Sequence, residues 1–326
     1  MGTTKIPSEL TKQRIYCDEM SKSSKQSTFS ALVAVVTLLI FMGWMHIMLA
    51  MLALSFFYKG MSVILLILLC TLALPAKPVL WHAFCRQYIF KTWREYFHFS
   101  YLFEAPLDTK KKYVFVEFPH GVFPLGPLLG ATASQLMEPR FDVYSLGASS
   151  VFSVPFWRHV ITWLGCVGAT TENFRRKLKR GSVAVIVGGI AEMYMQREDR
   201  EQIKLRDRKG FVRVAVESGS DGIVPVYHFG NSQLLDFYPQ SWSRISRRLR
   251  AALGFVYGRF GLPLPRKVEL FMVCGKPIPV RQVDRSDPSF AAAVEELHAK
   301  VVQAVQKLYD DHKAEYGWAD RPLEVC

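Results

Sequence analysis

The chain opens on a polar stretch, runs through a long apolar block, and then settles into a shorter rhythm of apolar and polar positions. Residues 1–28 mix Lys5, Lys12, Arg14, Lys22 and Lys25 with Glu9, Asp18 and Glu19, and are read as a polar tail. From Phe29 to Ala76 the one charged side chain is Lys59. Phe29–Tyr58 is longer than the ~20 residues that a helix needs to cross a bilayer core, and Met61–Ala76 is shorter. Lys59 and Gly60 separate the two runs with a cation that can snorkel and a flexible turn residue. Residues 29–76 are therefore predicted to form a hydrophobic hairpin, either two transmembrane helices or a re-entrant pair. Both place the two flanks on one side, and Lys77, Arg86, Lys91 and Arg94 make that side cytosolic by the positive-inside rule. A secretory signal would carry a shorter apolar core nearer the start and a small-residue cleavage site. A buried core hairpin is disfavoured because the run exceeds ordinary core helices. His46 lies within it and is given no role.

Residues 77–103 alternate aromatics (Trp81, Tyr88, Trp93, Phe97, Tyr101) with cations, a pattern that suits a headgroup-level segment and an aromatic core helix equally well. Past Lys112 the rhythm predicts strands at Tyr113–Phe118, Val183–Val187, Ile223–Tyr227 and Val268–Val273. A helix is predicted over Phe211–Ser218, closed by Gly219. The last helix is predicted with Asp287 as cap, Pro288 in its first position, and an apolar stripe through Phe290, Val294, Leu297, Val301, Val305 and Leu308. Strands separated by helices imply an α/β sandwich: a mostly parallel sheet with flanking helices, occupying residues 77–326.

Composition narrows the class. Half of the 326 residues are hydrophobic and the net charge is +13, which excludes a disordered, collagenous or disulfide-scaffold chain and favours a membrane-attached globular protein. The six cysteines have no C-x-x-C pair and define neither a zinc site nor a disulfide framework, so they are read as reduced thiols. Met1-Gly2 lacks the Ser or Thr of a myristoylation signal, and Cys326 is not fourth from the end as prenylation requires.

Three places could carry chemistry. Phe118-Pro119-His120-Gly121 follows a predicted strand, and open α/β sheets bind ligands at the C-terminal edges of their strands. An imidazole with an ordinary pKa near 6.5 can take a proton there. Gly188-Gly189-Ile190-Ala191-Glu192 also follows a strand: the glycines permit close backbone approach, and Glu192 could orient a histidine or accept a hydrogen bond. Arg206-Asp207-Arg208-Lys209-Gly210-Phe211 brings cations to a helix start, where phosphate groups are held. Each motif has a plainer structural reading as a tight turn, a strand-to-helix turn or a solvated basic loop. The clusters Arg175–Arg180 and Arg244–Arg250 suit anionic headgroups or a polyanionic cofactor, since no nucleic-acid module accompanies them. Walker, GxGxxG, GxSxG and metal-ligand patterns are absent from the sequence.

The blocks Tyr113-Val-Phe-Val-Glu-Phe-Pro-His-Gly-Val-Phe-Pro-Leu-Gly126, Ile186-Val-Gly-Gly-Ile-Ala-Glu192 and Leu205–Gly219, continuing through Val224–Tyr227 to Phe229-Gly230-Asn231, resemble the diacylglycerol acyltransferase type 2 family, which includes monoacylglycerol and wax-ester acyltransferases. The resemblance extends from about Lys77 to the end of the sequence given, and the preceding hairpin is also a family feature. It implies a glycerolipid-acyltransferase-like fold that moves a fatty acyl group from acyl-CoA, a co-substrate, to the hydroxyl of diacylglycerol. Monoacylglycerol or a long-chain alcohol is the alternative acceptor, and a non-catalytic lipid-droplet module is the alternative outside enzymes. His120 is expected as the base and Glu192 as its orienting partner or a hold on the acceptor. Amides of Gly188, Gly189 or Gly121 are expected at the oxyanion, and Arg206, Arg208 and Lys209 at the CoA phosphates. Pro119, Gly210 and Asn231 complete the expected substrate-binding set. No metal or further cofactor is expected. The expected partners are the two substrates and membrane lipids, without nucleic acid and with self-association left open. The expected location is the endoplasmic reticulum membrane, facing the cytosol, or the lipid-droplet surface. One position departs from the family: animal members carry His-Pro-His-Gly and plant-like members Glu-Pro-His-Ser, whereas Phe118 here precedes Pro119, with Glu117 one residue earlier.

Overall fold

The computed structural model of the protein describes residues 14–139, 141–249 and 251–326. The first part of the expected polar tail, residues 1–13, lies outside the described residues, as does Arg250 of the second basic cluster. Strand β1 (Ile15–Tyr16) precedes three apolar helices, α1 (Thr28–Met42), α2 (Trp44–Ser55) and α3 (Lys59–Cys70). The aromatic stretch supplies α4 (His82–Cys85), α5 (Tyr88–Tyr96) and β2 (Ser100–Phe103). Strands and helices then alternate: β3 (Tyr113–Phe118), α6 (Leu125–Met137), β4 (Val143–Gly147), α7 (Trp157–Trp163), β5 (Cys166–Gly168), α8 (Thr171–Leu178) and β6 (Ser182–Ile186). After the Gly188-Gly189 turn come β7 (Glu201–Ile203), α9 (Gly210–Ser218) and β8 (Gly222–Phe229). An excursion carries β9 (Asp236–Tyr238), α10 (Ser243–Leu249) and β10 (Phe255–Tyr257), before β11 (Phe271–Cys274), α11 (Phe290–Tyr316) and β12 (Leu323–Val325).

Eight strands form the main sheet in the order β1-β2-β11-β8-β3-β6-β4-β5. The run from β8 to β5 is parallel throughout, whereas β11 lies antiparallel to β8. The fold is thus mixed α/β, with a large sheet and flanking helices. Successive side chains of a strand point to opposite faces, and β3 divides accordingly. Tyr113 and Phe115 join a core with α1, α5 and α6, while Val114, Val116 and Phe118 join one with α8, α9 and α11. Burial on both faces is why β3, β6 and β8 read as continuous apolar runs.

Several expectations change. The apolar run is not one straight helix through Tyr58: it breaks at Gly43, where α1 and α2 meet at 69°, and among the described residues no single helix is long and apolar enough to cross a membrane. A Cβ at Gly43 would lie 2.5 Å from the Leu39 carbonyl oxygen and 3.0 Å from Pro263, so only glycine fits that bend. Helix α1 lies against the domain, with Ala34 and Leu38 buried and Thr37 receiving the Trp93 indole N–H at 2.7 Å. Helices α2 and α3 pack on each other and leave Leu49 and Ile67 exposed, as are Phe56 and Phe57 in the turn between them. Residues 14–27 are not a free tail: β1 pairs with β2, and Asp18 takes both arms of the buried Arg94 guanidinium at 2.6 and 2.8 Å. The aromatic segment divides, with Trp81 and Tyr88 exposed while Phe90, Trp93, Tyr96, Phe97, Phe99 and Tyr101 are core. Helix α11 begins at Phe290 after Ser289; the Asp287 carboxylate instead closes a local turn, accepting from the amide and hydroxyl of Ser289 at 2.7 Å each.

Candidate active site

The end of β3 delivers the chain to the C-terminal edge of the sheet, where a cis Phe118–Pro119 bond and Gly121, at φ +58°, turn it back into α6. His120 sits half-buried at the apex. Its ring Nδ1 lies 2.8 Å from the Gly121 carbonyl oxygen. A carbonyl can only accept, so the neutral ring carries its proton on Nδ1 and presents the lone pair of Nε2. Nε2 meets no hydrogen-bonding group among the described residues, and it is not one of the atoms shut away from solvent. Burial holds the imidazole below its ordinary 6.5, partly offset by the bond to Gly121, and so keeps it neutral at physiological pH. A neutral ring with that lone pair open is able to accept a proton.

Glu192 does not touch that ring. It lies buried in the short turn Gly189–Tyr194 and accepts the main-chain N–H of His120 at 2.6 Å and that of Lys204 at 2.7 Å. Burial pushes its carboxyl up to about 7, against the lowering pull of those two N–H groups. The carboxylate therefore fastens the backbone of the histidine turn to the loop before α9. Gly188 makes this fit: a Cβ there would lie 1.8 Å from the Glu192 carboxyl carbon. Gly189, at φ +55°, has no atom within 4 Å of where a Cβ would stand and faces open space.

The remaining expected residues separate. Asn231 is buried and fully engaged: Oδ1 accepts from the Gly126 amide at 2.8 Å, and Nδ2 reaches the carbonyls of Pro119, His120 and Phe123 at 3.0, 3.1 and 3.3 Å. It and Pro119 shape the turn from below, and the Asn231 side-chain amide is taken up by these bonds. The cations do not converge on the start of α9. The Lys209 ammonium is bound to Glu295 on α11 at 2.6 Å, and Arg208 reaches toward Asp207 while its charge is felt at Glu192. Arg206 lines an open cavity of about 750 Å³ with α11 and β12, whose lining includes neither His120 nor Glu192. Gly210 opens α9 with no atom within 4 Å of a Cβ.

Two features escaped the sequence reading. His228 on β8 is 1% exposed with neither ring nitrogen in a hydrogen bond among the described residues, and its Nε2 stands 3.5 Å from the Glu117 carboxylate. Gly126 and Gly130 give the ring its space beneath α6: a Cβ on either would come within 3.3 Å of it. The unusual Glu117, one residue before Phe118, was the available signal. The second is a strap at residues 321–326. Arg321 bonds the buried Glu201 carboxylate at 2.9 Å, β12 pairs with β7, and the Cys326 carbonyl accepts the amides of Leu205 and Arg206 at 2.9 and 2.8 Å. The strap thus secures the loop whose Lys204 amide holds Glu192.

A neutral imidazole with an open Nε2 at the sheet edge, in a turn whose backbone a buried carboxylate fastens, is an arrangement that can take a proton from a bound group. The pattern of the diacylglycerol acyltransferase family matches residues 50–325, and the chain belongs to that family; it is an acyltransferase. Diacylglycerol O-acyltransferase 2 of Dictyostelium discoideum is 28% identical to it, over 69% of this chain and 73% of that protein. Diacylglycerol O-acyltransferase 2A of Umbelopsis ramanniana is 30% identical over 72% and 71%, and 2-acylglycerol O-acyltransferase 1 of Mus musculus is 30% identical over 70% and 73%. A solved 1-acyl-sn-glycerophosphate acyltransferase from Thermotoga maritima overlays loosely, with a TM-score of 0.39 at 13% identity, covering 84% of this chain and 95% of that one.

Proposed function

We propose that the chain transfers a fatty acyl group from acyl-CoA to the free hydroxyl of diacylglycerol, forming triacylglycerol and CoA at a membrane. The observation that carries the mechanism is the unoccupied lone pair of His120 Nε2, fixed by the Nδ1 bond to Gly121. The acceptor hydroxyl gives its proton to Nε2 while its oxygen attacks the thioester carbonyl. The tetrahedral oxyanion lies against the Gly121 and Gly189 amides. Its collapse expels the CoA thiolate, which recovers the proton from the imidazolium. Glu192 holds the turn that aims the ring. Arg206 and Arg208 remain the candidate contacts for CoA phosphates, since Lys209 is already paired. The acceptor is dissolved in lipid, and α2 and α3 offer the exposed apolar surface that would seat the enzyme in a bilayer, with the globular part on the cytosolic side of the endoplasmic reticulum or on a lipid droplet.

The test is His120→Ala, assayed in microsomes with labelled oleoyl-CoA and an acceptor panel of diacylglycerol, monoacylglycerol and a long-chain alcohol. General-base loss predicts a fall of about 10²–10⁴ in turnover; retention of most activity by a well-expressed variant refutes the assignment. The mouse relative, a 2-acylglycerol acyltransferase, favours monoacylglycerol as second acceptor, and the product separated from the panel decides between the two.

A further inference from the structure

Between Asp236 and Glu269 the chain carries seven cations and no acidic residue, more than half of the net +13. This excursion from the sheet is also the most apolar surface outside the hairpin. Tyr238, Trp242, Ile245, Leu249, Phe255 and Phe260 are all exposed, Phe260 to 77%. In α10, Ile245 and Leu249 lie four residues apart on one face, and the exposed Arg244, Arg247 and Arg248 flank them. None of these three, nor the exposed Arg259, has a carboxylate partner among the described residues; Arg247 bonds a backbone carbonyl of its own helix, and Arg259 lies over the Phe260 ring at 4.8 Å.

The patch is continuous with two other parts of the molecule. The Phe255 ring stands 6.3 Å from that of His46 on α2, and Pro263 fills the α1–α2 bend at Gly43. On its inner side, the Tyr194 hydroxyl is 2.6 Å from Ser246 Oγ on α10 and donates to the Leu253 carbonyl at 2.9 Å. Tyr194 closes the same short turn that carries Glu192. The excursion therefore bridges the hairpin and the His120 turn.

We infer that residues 238–249 and 251–262 form a second membrane-seating surface, which lays its aromatic and aliphatic side chains in the interface of an anionic bilayer and its arginines on the lipid phosphates and carboxylates. Solvent-exposed aromatics interleaved with unpaired arginines are suited to that boundary, and cationic clusters draw a protein to an anionic leaflet. An acidic protein would satisfy the arginines but would leave the contiguous apolar surface of α2 and α3 without a matching phase. Seating through the excursion would hold the Gly189–Tyr194 turn at a fixed depth relative to the lipid acceptor. Continuity with α2 rests on the membrane reading of the hairpin, and only the consequence for catalysis rests on the acyltransferase reading.

The experiment is hydrogen–deuterium exchange on the full chain in nanodiscs of phosphatidylcholine alone, nanodiscs containing phosphatidylserine, and detergent micelles. Amides of residues 238–262 are expected to be protected most in the anionic discs. The combined variant Arg244→Gln, Arg247→Gln, Arg248→Gln should abolish the difference between anionic and neutral discs, while Trp242→Ser with Phe260→Ser should reduce protection in both. The strands β3 and β8 report that each variant is folded. Equal exchange of 238–262 in all three media, with α2 and α3 protected by the discs, overturns the inference, and protection that appears only on adding an acidic protein does so too. Protection of 238–262 without protection of α2 and α3 supports it while refuting the hairpin reading. Acyl transfer measured in the same discs is a separate readout: its loss in the wild-type chain would speak against the enzyme assignment and leave the exchange result standing.

Discussion

One proton position decides what His120 can do. Because the Gly121 carbonyl fixes hydrogen on Nδ1, only Nε2 can accept, and it can accept only while the ring is neutral. Since burial lowers the ring's affinity for protons, the acid limb of the kcat/KM profile should fall at a pH below 6.5; an acid limb above 6.5 in a profile measured from pH 5 to 8 contradicts this environment. Glu192 has the opposite sense. Its folded value of about 7 lies above the ordinary 4.5, so the unfolded chain ionises first. The stability associated with this group is fully present below about 4.5 and declines as pH rises toward 7, by at most about 3 kcal/mol. Stability that depends on neutral His120 runs the other way and is lost as pH falls below 6.5. Glu192→Gln should therefore remove only the Glu192 contribution, seen as the loss of its share of the fall in melting temperature as pH rises from 5 to 7.5. Asn231→Ala removes partners from buried carbonyls and from the Gly126 amide, at a cost of about 1–3 kcal/mol for each group left unsatisfied. It should lower both thermal stability and turnover, and a variant as stable as the parent would show that Asn231 is not the clamp described.

At the level of elements, the tight places are glycines with specific neighbours. Gly188→Ala would drive a methyl into the Glu192 carboxyl carbon from 1.8 Å, displacing the carboxylate from both N–H groups. A loss of turnover similar to that of a Glu192 deletion is expected, measured with the same acyl-CoA assay, whereas Gly210→Ala, facing open space, should be nearly silent. The strap acts over a longer path. Arg321→Met strands the buried Glu201 charge, for which breaking a buried pair costs about 3–5 kcal/mol, and loosens the 197–206 loop through its lost bonds to the carbonyls of Arg197 and Arg200. Thermal unfolding should fall by several degrees in Arg321→Met and by far less in Arg200→Met, whose partners Asp199 and Glu324 are exposed.

Across the whole molecule, three sequence blocks that are far apart meet at one sheet edge. The hydrophobic pattern by itself determined the apolar block, the central strands β3, β6 and β8, the cap at Gly219 and the stripe of α11, because burial on one or both faces writes a period into the side chains. It also placed His120 and Glu192 in glycine turns that follow strands β3 and β6, where the structure has them. What it left open has a common cause: the deciding contacts join residues that no local period connects. Aromatics serve core and interface alike, so only packing could divide Trp81 and Tyr88 from the buried Phe90 and Trp93. Glu192 pairs with a backbone amide 72 positions away, His228 with Glu117, and Arg321 with Glu201 across 120 positions. The basic loop has the local pattern of a single phosphate site, and tertiary structure distributed its cations because α11 brought Glu295 to Lys209. Local sequence specifies what a segment can bury; which partner meets a polar group is set by chain closure over long separations, and that is decided only when the sheet assembles.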